Sequence, residues 1–130
     1  MEAASAAATA AGASRVVPLS VAGAFHTPLM AGAAERMRAA LTGTAFRDPT
    51  MPVVSNVTAR PLTSGAAFAT ELEQQITEPV LWLDYVIAMQ AAGVTKFIEF
   101  GPGKVLSGLL RRIDRSLDVK NIGTVEEVRA

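Results

Sequence analysis

Short runs of apolar, β-branched residues alternate along the chain with amphipathic segments of about a dozen residues. The short runs have strand composition, whereas the longer ones repeat apolar residues at the spacing of one helix face. The predicted strands are residues 15–22, 51–57, 96–100 and 119–122. The predicted helices are residues 1–12, 27–41, 63–76, 82–92 and 105–113, with a few more helical residues near the C-terminus. Strands that alternate with helices indicate an α/β protein built around a largely parallel sheet.

The second helix has the clearest boundaries. Thr27 is predicted to supply an N-cap hydroxyl, and Pro28 occupies the first helical position, where a missing N–H costs nothing. Gly43 is a suitable C-terminal stop. The positions predicted to face the core are Met30, Ala33, Ala34, Met37 and Leu41. His26 therefore lies at the junction where an extended segment turns into a helix.

Composition and charge exclude several classes of function. The 130 residues carry 12 basic and 12 acidic side chains, so no basic face is expected for nucleic acid. Cysteine is absent, which excludes disulfides, thiolate metal ligands and cysteine nucleophiles. A single histidine excludes a multi-histidine metal site. No apolar run approaches the roughly 20 residues of a membrane-spanning helix, and the alanine-rich start does not have the pattern of a secretory signal, so a cytoplasmic location is expected.

His26 is the natural candidate for a general base, because histidine ordinarily exchanges a proton near neutral pH. Phe25 and Met30 would place it beside apolar surface, and the Thr27–Pro28 pair would fix the neighbouring backbone. The alternative is a histidine that only caps or packs at a helix start. No serine lies in a Gly-x-Ser-x-Gly nucleophile elbow, and Ser107, the nearest, is inside a predicted helix. The sequence thus contains a candidate base without a matching nucleophile.

The sequence Gly101-Pro102-Gly103-Lys104 lies between a strand and a helix, where phosphates often bind. It does not match a P-loop, because the spacing is wrong and Val105 follows the lysine. A tight turn that lets the strand and the helix pack closely is the favoured interpretation, with at most a weak phosphate contact from Lys104.

Four segments together resemble the C-terminal part of the malonyl-CoA:acyl-carrier-protein transacylases. They are Gly23–Met30 (GAFHTPLM), Pro52–Thr58 (PVVSNVT), Pro79–Trp82 (PVLW) and Phe97–Leu109 (FIEFGPGKVLSGL). Their order and spacing extend the resemblance over nearly the whole chain. A variant interpretation, an acyltransferase domain of a modular synthase, is less favoured because such domains usually have a different sequence in place of GPGKVLSGL.

The resemblance implies a ping-pong transfer of malonyl from malonyl-CoA to the phosphopantetheine thiol of acyl carrier protein in fatty acid biosynthesis. In that family a serine is acylated, and a histidine that matches His26 activates first the serine and then the thiol. The backbone carbonyl that orients this histidine corresponds to Gln75, and Phe25 matches a residue associated with malonyl selection. Asn56 lies in a segment near the family's site and is assigned no role. No cofactor and no metal are implied.

The family fold is an α/β-hydrolase-like large domain with a ferredoxin-like small subdomain. By resemblance, residues 1–22 are the last helix and strand of the small subdomain, and residues 23–130 are the C-terminal part of the large domain. The family's serine elbow, its malonyl-binding arginine and its oxyanion segment have no counterpart in these residues. The chain alone is therefore expected to be inactive, with the missing N-terminal portion of the enzyme as a partner. The alternative is a non-catalytic fragment or subunit that binds carrier protein or complements a separate chain.

Overall fold

A computed structural model describes residues 2–18 and 21–129 of the chain. The helices are α1 Glu2–Ala10, α2 Ala31–Leu41, α3 Ala66–Gln74, α4 Trp82–Ala91, α5 Val105–Ile113 and α6 Val125–Arg129, and a 3₁₀ turn at Pro28–Met30 leads into α2. The strands are β1 Val53–Val54, β2 Pro61–Leu62, β3 Lys96–Phe100 and β4 Asp118–Ile122. The predicted α/β class is confirmed. No helix within the described ranges is both long and apolar enough to cross a bilayer.

The described strands form two separate pairs. Strands β3 and β4 are parallel, with Lys96 opposite Asp118 and Phe100 opposite Ile122, and α5 provides the crossover that a parallel pair needs. Strands β1 and β2 are antiparallel, with Val53 opposite Leu62. The prediction of one largely parallel sheet is therefore wrong for the part of the chain that the structure describes, because the short connection between β1 and β2 folds them into a hairpin.

Two predicted strands are corrected. Residues 15–18 and 21–22 are irregular, while Leu19 and Ser20 lie outside the described residues. Pro18 offers no backbone N–H, and no described strand lies alongside to pair with this segment. The strand predicted over residues 51–57 shortens to β1, because the chain turns at Ser55, whose N–H donates to the Arg60 carbonyl at 2.9 Å.

Two predicted helix starts are also corrected. The Thr27 hydroxyl does not cap α2, since it donates instead to the Ala24 carbonyl at 2.7 Å. Helix α3 begins after Gly65, and the Ser64 hydroxyl oxygen accepts the Ala66 N–H at 3.3 Å. The predicted stop at Gly43 is confirmed, because this residue follows α2 with a φ of 93°.

The buried core is small. Among the described residues only Ala34, Val86 and Leu110 are buried apolar side chains. The chain exposes 9679 Å² of surface, whereas a compact monomer of 13.6 kDa exposes about 6,600 Å². Large apolar side chains account for part of this excess, including Leu29, which is 83% exposed, and Phe100, which is 71% exposed. The molecule therefore presents apolar faces that its own residues do not cover.

Glu99 connects β3 to the start of α5. One carboxylate oxygen accepts the Leu106 N–H at 3.0 Å, and the other accepts the Ser107 N–H at 2.9 Å and the Ser107 hydroxyl at 2.5 Å. The two N–H groups belong to the first turn of α5, where helix donors have no partner within the helix. The Ser107 hydroxyl, followed by its backbone N–H, lowers the pKa of Glu99 below its ordinary value.

This lowered pKa predicts a specific dependence of stability on pH. The folded pKa of Glu99 lies below the unfolded one, so the stabilisation is present at neutral pH and is lost as the pH falls through the folded pKa. The variant Glu99→Gln should unfold at a lower urea concentration than the wild type at pH 7, and the difference should shrink below about pH 4. Urea titrations at several pH values measure this. The exposed Glu126→Gln on α6 serves as the control, and a Glu99→Gln difference that does not change with pH would contradict the assignment.

Alanine substitutions at Gly65 and at Gly108 should change the free energy of unfolding in opposite directions. A Cβ at Gly65 would lie 2.5 Å from the Phe46 carbonyl oxygen, whereas a Cβ at Gly108, within α5, would meet nothing within 4 Å apart from its chain neighbours and the nearby backbone of its own helix. We expect Gly65→Ala to lower the free energy of unfolding by about 1–3 kcal/mol through overpacking. Gly108→Ala should raise it by about 0.5–1 kcal/mol, because alanine is the better helix former. Thermal or urea unfolding measures both, and a Gly65→Ala variant as stable as the wild type would rule out the close backbone approach.

Candidate active site

The backbone of His26 adopts an unusual conformation that the end of α3 holds in place. Its φ is 62°, in the left-handed region that costs a side-chain-bearing residue about 1–2 kcal/mol. The His26 N–H donates to the Ile76 carbonyl at 2.9 Å, just beyond the end of α3. A strained residue of this kind persists where the surrounding contacts fix it, and such residues are concentrated at functional sites.

The His26 imidazole contacts two further carbonyls of the same segment. Its Nδ1 lies 2.8 Å from the Gln75 oxygen and 3.1 Å from the Glu78 oxygen. Both partners can only accept, so Nδ1 must be the atom that carries the proton. In the neutral ring, Nε2 is then the atom with the free lone pair. His26 is exposed, so a group from outside the described residues can reach this lone pair.

The three carbonyls are available because α3 ends there. Helix α3 ends at Gln74, so the carbonyls of residues 75–78 lie beyond its last turn and meet no donor within the helix, and Pro79 prevents the helix from continuing. The Gln75 N–H still donates to the Glu71 carbonyl at 2.9 Å, which keeps Gln75 in the helical register. Helix C-termini also carry a partial negative charge. The segment 75–78 is therefore a set of acceptors suited to the N–H groups of a histidine.

The other residues singled out from the sequence occupy different positions. Phe25 is 53% exposed, and a Cβ added at Gly23 would lie 3.2 Å from its ring. Asn56 accepts the Leu81 N–H through its backbone carbonyl at 2.9 Å. Sequence reasoning missed the carbonyls of Ile76 and Glu78 as contacts of His26, and it had no signal to find them, because every residue type has the same backbone oxygen.

The contacts around Ser107 and the Gly101–Lys104 loop indicate a structural role for both, and not a nucleophile or a phosphate site. Ser107 is 1% exposed and donates its hydroxyl to Glu99, so it is not available as a nucleophile. The same carboxylate occupies the N–H groups of Leu106 and Ser107 at the start of α5. A phosphate would need these donors, so the weak phosphate contact considered for Lys104 has no support here.

No cluster of potential metal ligands lies in the part of the chain described. Within residues 2–18 and 21–129, no three His, Asp or Glu side chains come together as a metal site would require. A cavity of about 380 Å³ lies between the β1–β2 hairpin and the end of α4, and its lining residues, among them Val54, Pro61 and Met89, are apolar. The chemistry of the candidate site is therefore that of the imidazole and its backbone acceptors.

Known proteins that resemble this chain share one activity in their names. No protein-family model matches the chain. A malonyl-CoA–acyl carrier protein transacylase of Synechocystis is 40% identical over 116 residues, which is 89% of this chain and 40% of the relative. The crystal structure of the corresponding enzyme of Xanthomonas oryzae superposes with a TM-score of 0.89 at 40% identity, over 98% of this chain and 41% of that one.

A third match is a malonyl-transacylase in complex with a type II polyketide acyl-carrier protein, with a TM-score of 0.89 and 36% identity over 98% of this chain and 41% of that one. The chain thus spans about two-fifths of the length of the curated relatives it matches. Its mixed α/β fold is that of the matching part of these enzymes. The resemblance found in the sequence is confirmed: the chain is homologous, over about two-fifths of their length, to the malonyl-CoA:acyl-carrier-protein transacylases.

Proposed function

We propose that this chain supplies the general base for malonyl transfer from malonyl-CoA to the phosphopantetheine thiol of an acyl carrier protein. The observation that carries the proposal is the contact of His26 Nδ1 with the Gln75 carbonyl at 2.8 Å, which leaves Nε2 free to accept a proton. Fatty acid synthesis is the setting that the sequence resemblance favours, and the complex of a relative with a polyketide carrier protein adds polyketide synthesis as a second setting. A cytoplasmic location stays a prediction.

In the proposed reaction the proton moves through His26 twice. Nε2 first takes the proton of a serine hydroxyl as the serine oxygen attacks the malonyl thioester, and the imidazolium then protonates the departing CoA thiolate. In the second half, Nε2 takes the proton of the carrier-protein thiol as its sulfur attacks the malonyl ester, and returns it to the serine. Throughout, the Gln75 and Glu78 carbonyls hold Nδ1–H, as the aspartate does in a Ser-His-Asp triad.

The serine of this reaction lies outside these 130 residues in our proposal. The sequence contains no Gly-x-Ser-x-Gly elbow, and the serine closest to that pattern, Ser107, is buried against Glu99. The surface of 9679 Å² exceeds that of a compact monomer by about 3,000 Å², which is as much as one partner buries in the largest obligate interfaces, of about 5,000 Å² or more over both partners. This excess supports a large complementary body and favours complementation over the second candidate, a non-catalytic module that binds carrier protein by itself.

A chimera tests the role of His26. The part of the Synechocystis relative that has no counterpart here would be fused ahead of this chain, and transfer of labelled malonyl to holo-acyl carrier protein would be measured. We expect the chimera to be active and His26→Ala to lower kcat by about 10²–10⁴, the usual contribution of a general base. Gln74→Ala, an exposed side chain at the end of α3, serves as the control and should retain activity.

Two results would contradict this proposal. A His26→Ala chimera with at least half of the parent rate would remove the histidine from the mechanism. A malonyl-sized mass increase of the unfused chain after incubation with malonyl-CoA would show that a nucleophile is present within it. An inactive parent chimera together with tight binding of carrier protein by the chain alone would favour the non-catalytic module.

Phe25 is proposed to select malonyl by excluding a substrate that carries an extra methyl group. Phe25 directly precedes His26 in the sequence, and its side chain is half exposed. In the same chimera, Phe25→Ser should raise kcat/KM for methylmalonyl-CoA relative to malonyl-CoA by at least about tenfold, since one methyl group in a fitted pocket is worth 10- to 200-fold. Phe25→Leu keeps most of the bulk and should change the ratio less. Equal ratios in the parent and in Phe25→Ser would show that the ring does not line the pocket.

A further inference from the structure

One turn of the chain holds both ends of the segment that contacts His26. This turn, residues 55–60 between β1 and β2, is called the Ser55 turn. Before the segment, Glu71 of α3 accepts the Ser55 hydroxyl at 2.6 Å. After it, the Leu81 N–H donates to the Asn56 carbonyl at 2.9 Å. Residues 75–78, whose carbonyls contact His26, thus lie between two attachments to the same turn.

The carboxylate of Glu71 is buried, and both of its oxygens accept hydrogen bonds from the Ser55 turn. Ser55 is 1% exposed and Glu71 is 9% exposed. The second carboxylate oxygen accepts the Val57 N–H at 3.3 Å, and the Ser55 oxygen in turn accepts the Thr58 N–H at 2.8 Å. No ion pair among the described residues includes Glu71. A buried carboxylate met only by hydrogen-bond donors is costly to displace, so the position of α3 against the Ser55 turn is tightly defined.

We infer that Glu71, through its bonds to the Ser55 turn, is a positioning residue for His26. The Glu71 carbonyl accepts the Gln75 N–H at 2.9 Å, so fixing Glu71 fixes the next turn of backbone. This last turn at the end of α3 presents the Gln75 oxygen to the imidazole. The Ile76 oxygen, which accepts the His26 N–H, comes directly after it. The consequence of this positioning for catalysis rests on the proposed function, whereas the geometric effect on His26 does not.

The imidazole tautomer distinguishes a positioning role from a purely structural one. The chain has one histidine, so its ring nitrogens give unambiguous ¹⁵N signals in these 130 residues. At a pH where the ring is neutral, the wild type should have the proton on Nδ1. The Val57 N–H is shared between Glu71 at 3.3 Å and the Ser55 oxygen at 3.1 Å. A Gln at position 71 replaces one acceptor oxygen by an NH₂ donor, which would face either the Ser55 O–H or the Val57 N–H in place of the acceptor found there. In Glu71→Gln we expect a mixture of the two tautomers and at least about tenfold faster exchange of the His26 amide proton.

Glu73→Gln is the matched control, since Glu73 lies on the same helix but faces Arg38 rather than the Ser55 turn. It should keep the wild-type tautomer and amide exchange. A folded Glu71→Gln protein with both properties unchanged would overturn the inference. If Glu71→Gln does not fold, Ser55→Ala, which leaves the Val57 N–H bond to Glu71 in place, decides the question by the same two measurements. An inactive chimera would contradict the proposed function and leave this spectroscopic result unaffected.

Discussion

The hydrogen bond between Ser55 and Glu71 is the contact on which the arrangement around His26 depends. It joins the β1–β2 turn to α3 across 16 residues of sequence, in a chain with only three buried apolar side chains among those described. With so little apolar packing, directional polar contacts define how the elements meet. The Glu71 carboxylate accepts a serine hydroxyl and a backbone N–H from one turn. These directional bonds fix both the distance and the orientation of that turn relative to α3, which apolar contacts alone do not.

The same chemistry appears a second time with a different result. Glu99 also accepts a serine hydroxyl and backbone N–H groups, but its donors belong to the first turn of α5. There the carboxylate takes the place that an external anion would occupy. One serine–glutamate pair therefore closes a potential binding site, and the other supports an open one at the end of α3.

The exposed apolar surface and the unoccupied Nε2 of His26 have a common explanation in our proposal. Both are expected of a chain that corresponds to about two-fifths of a transacylase. A general base contributes to catalysis only beside its nucleophile, and members of a triad act as a unit rather than additively. The apolar faces and the histidine would then be completed by the same complementary polypeptide.

The sequence alone determined most of the local structure and the identity of the candidate base. Strand β3 and helix α5 lie where periodicity and Gly punctuation predicted them, because their signals are local. The strand predicted at residues 15–22 was wrong over the part described, since a strand also needs a neighbour that no local pattern reveals.

The Gln75 contact was expected only from the family resemblance, and its role in orienting His26 stays a prediction. Only the tertiary structure could bring the Ile76 and Glu78 oxygens to His26 and attach their segment to the Ser55 turn. The physical reason is that backbone carbonyls are the same in every residue, so their use as ligands is decided by where the chain ends a helix and not by which side chains it carries.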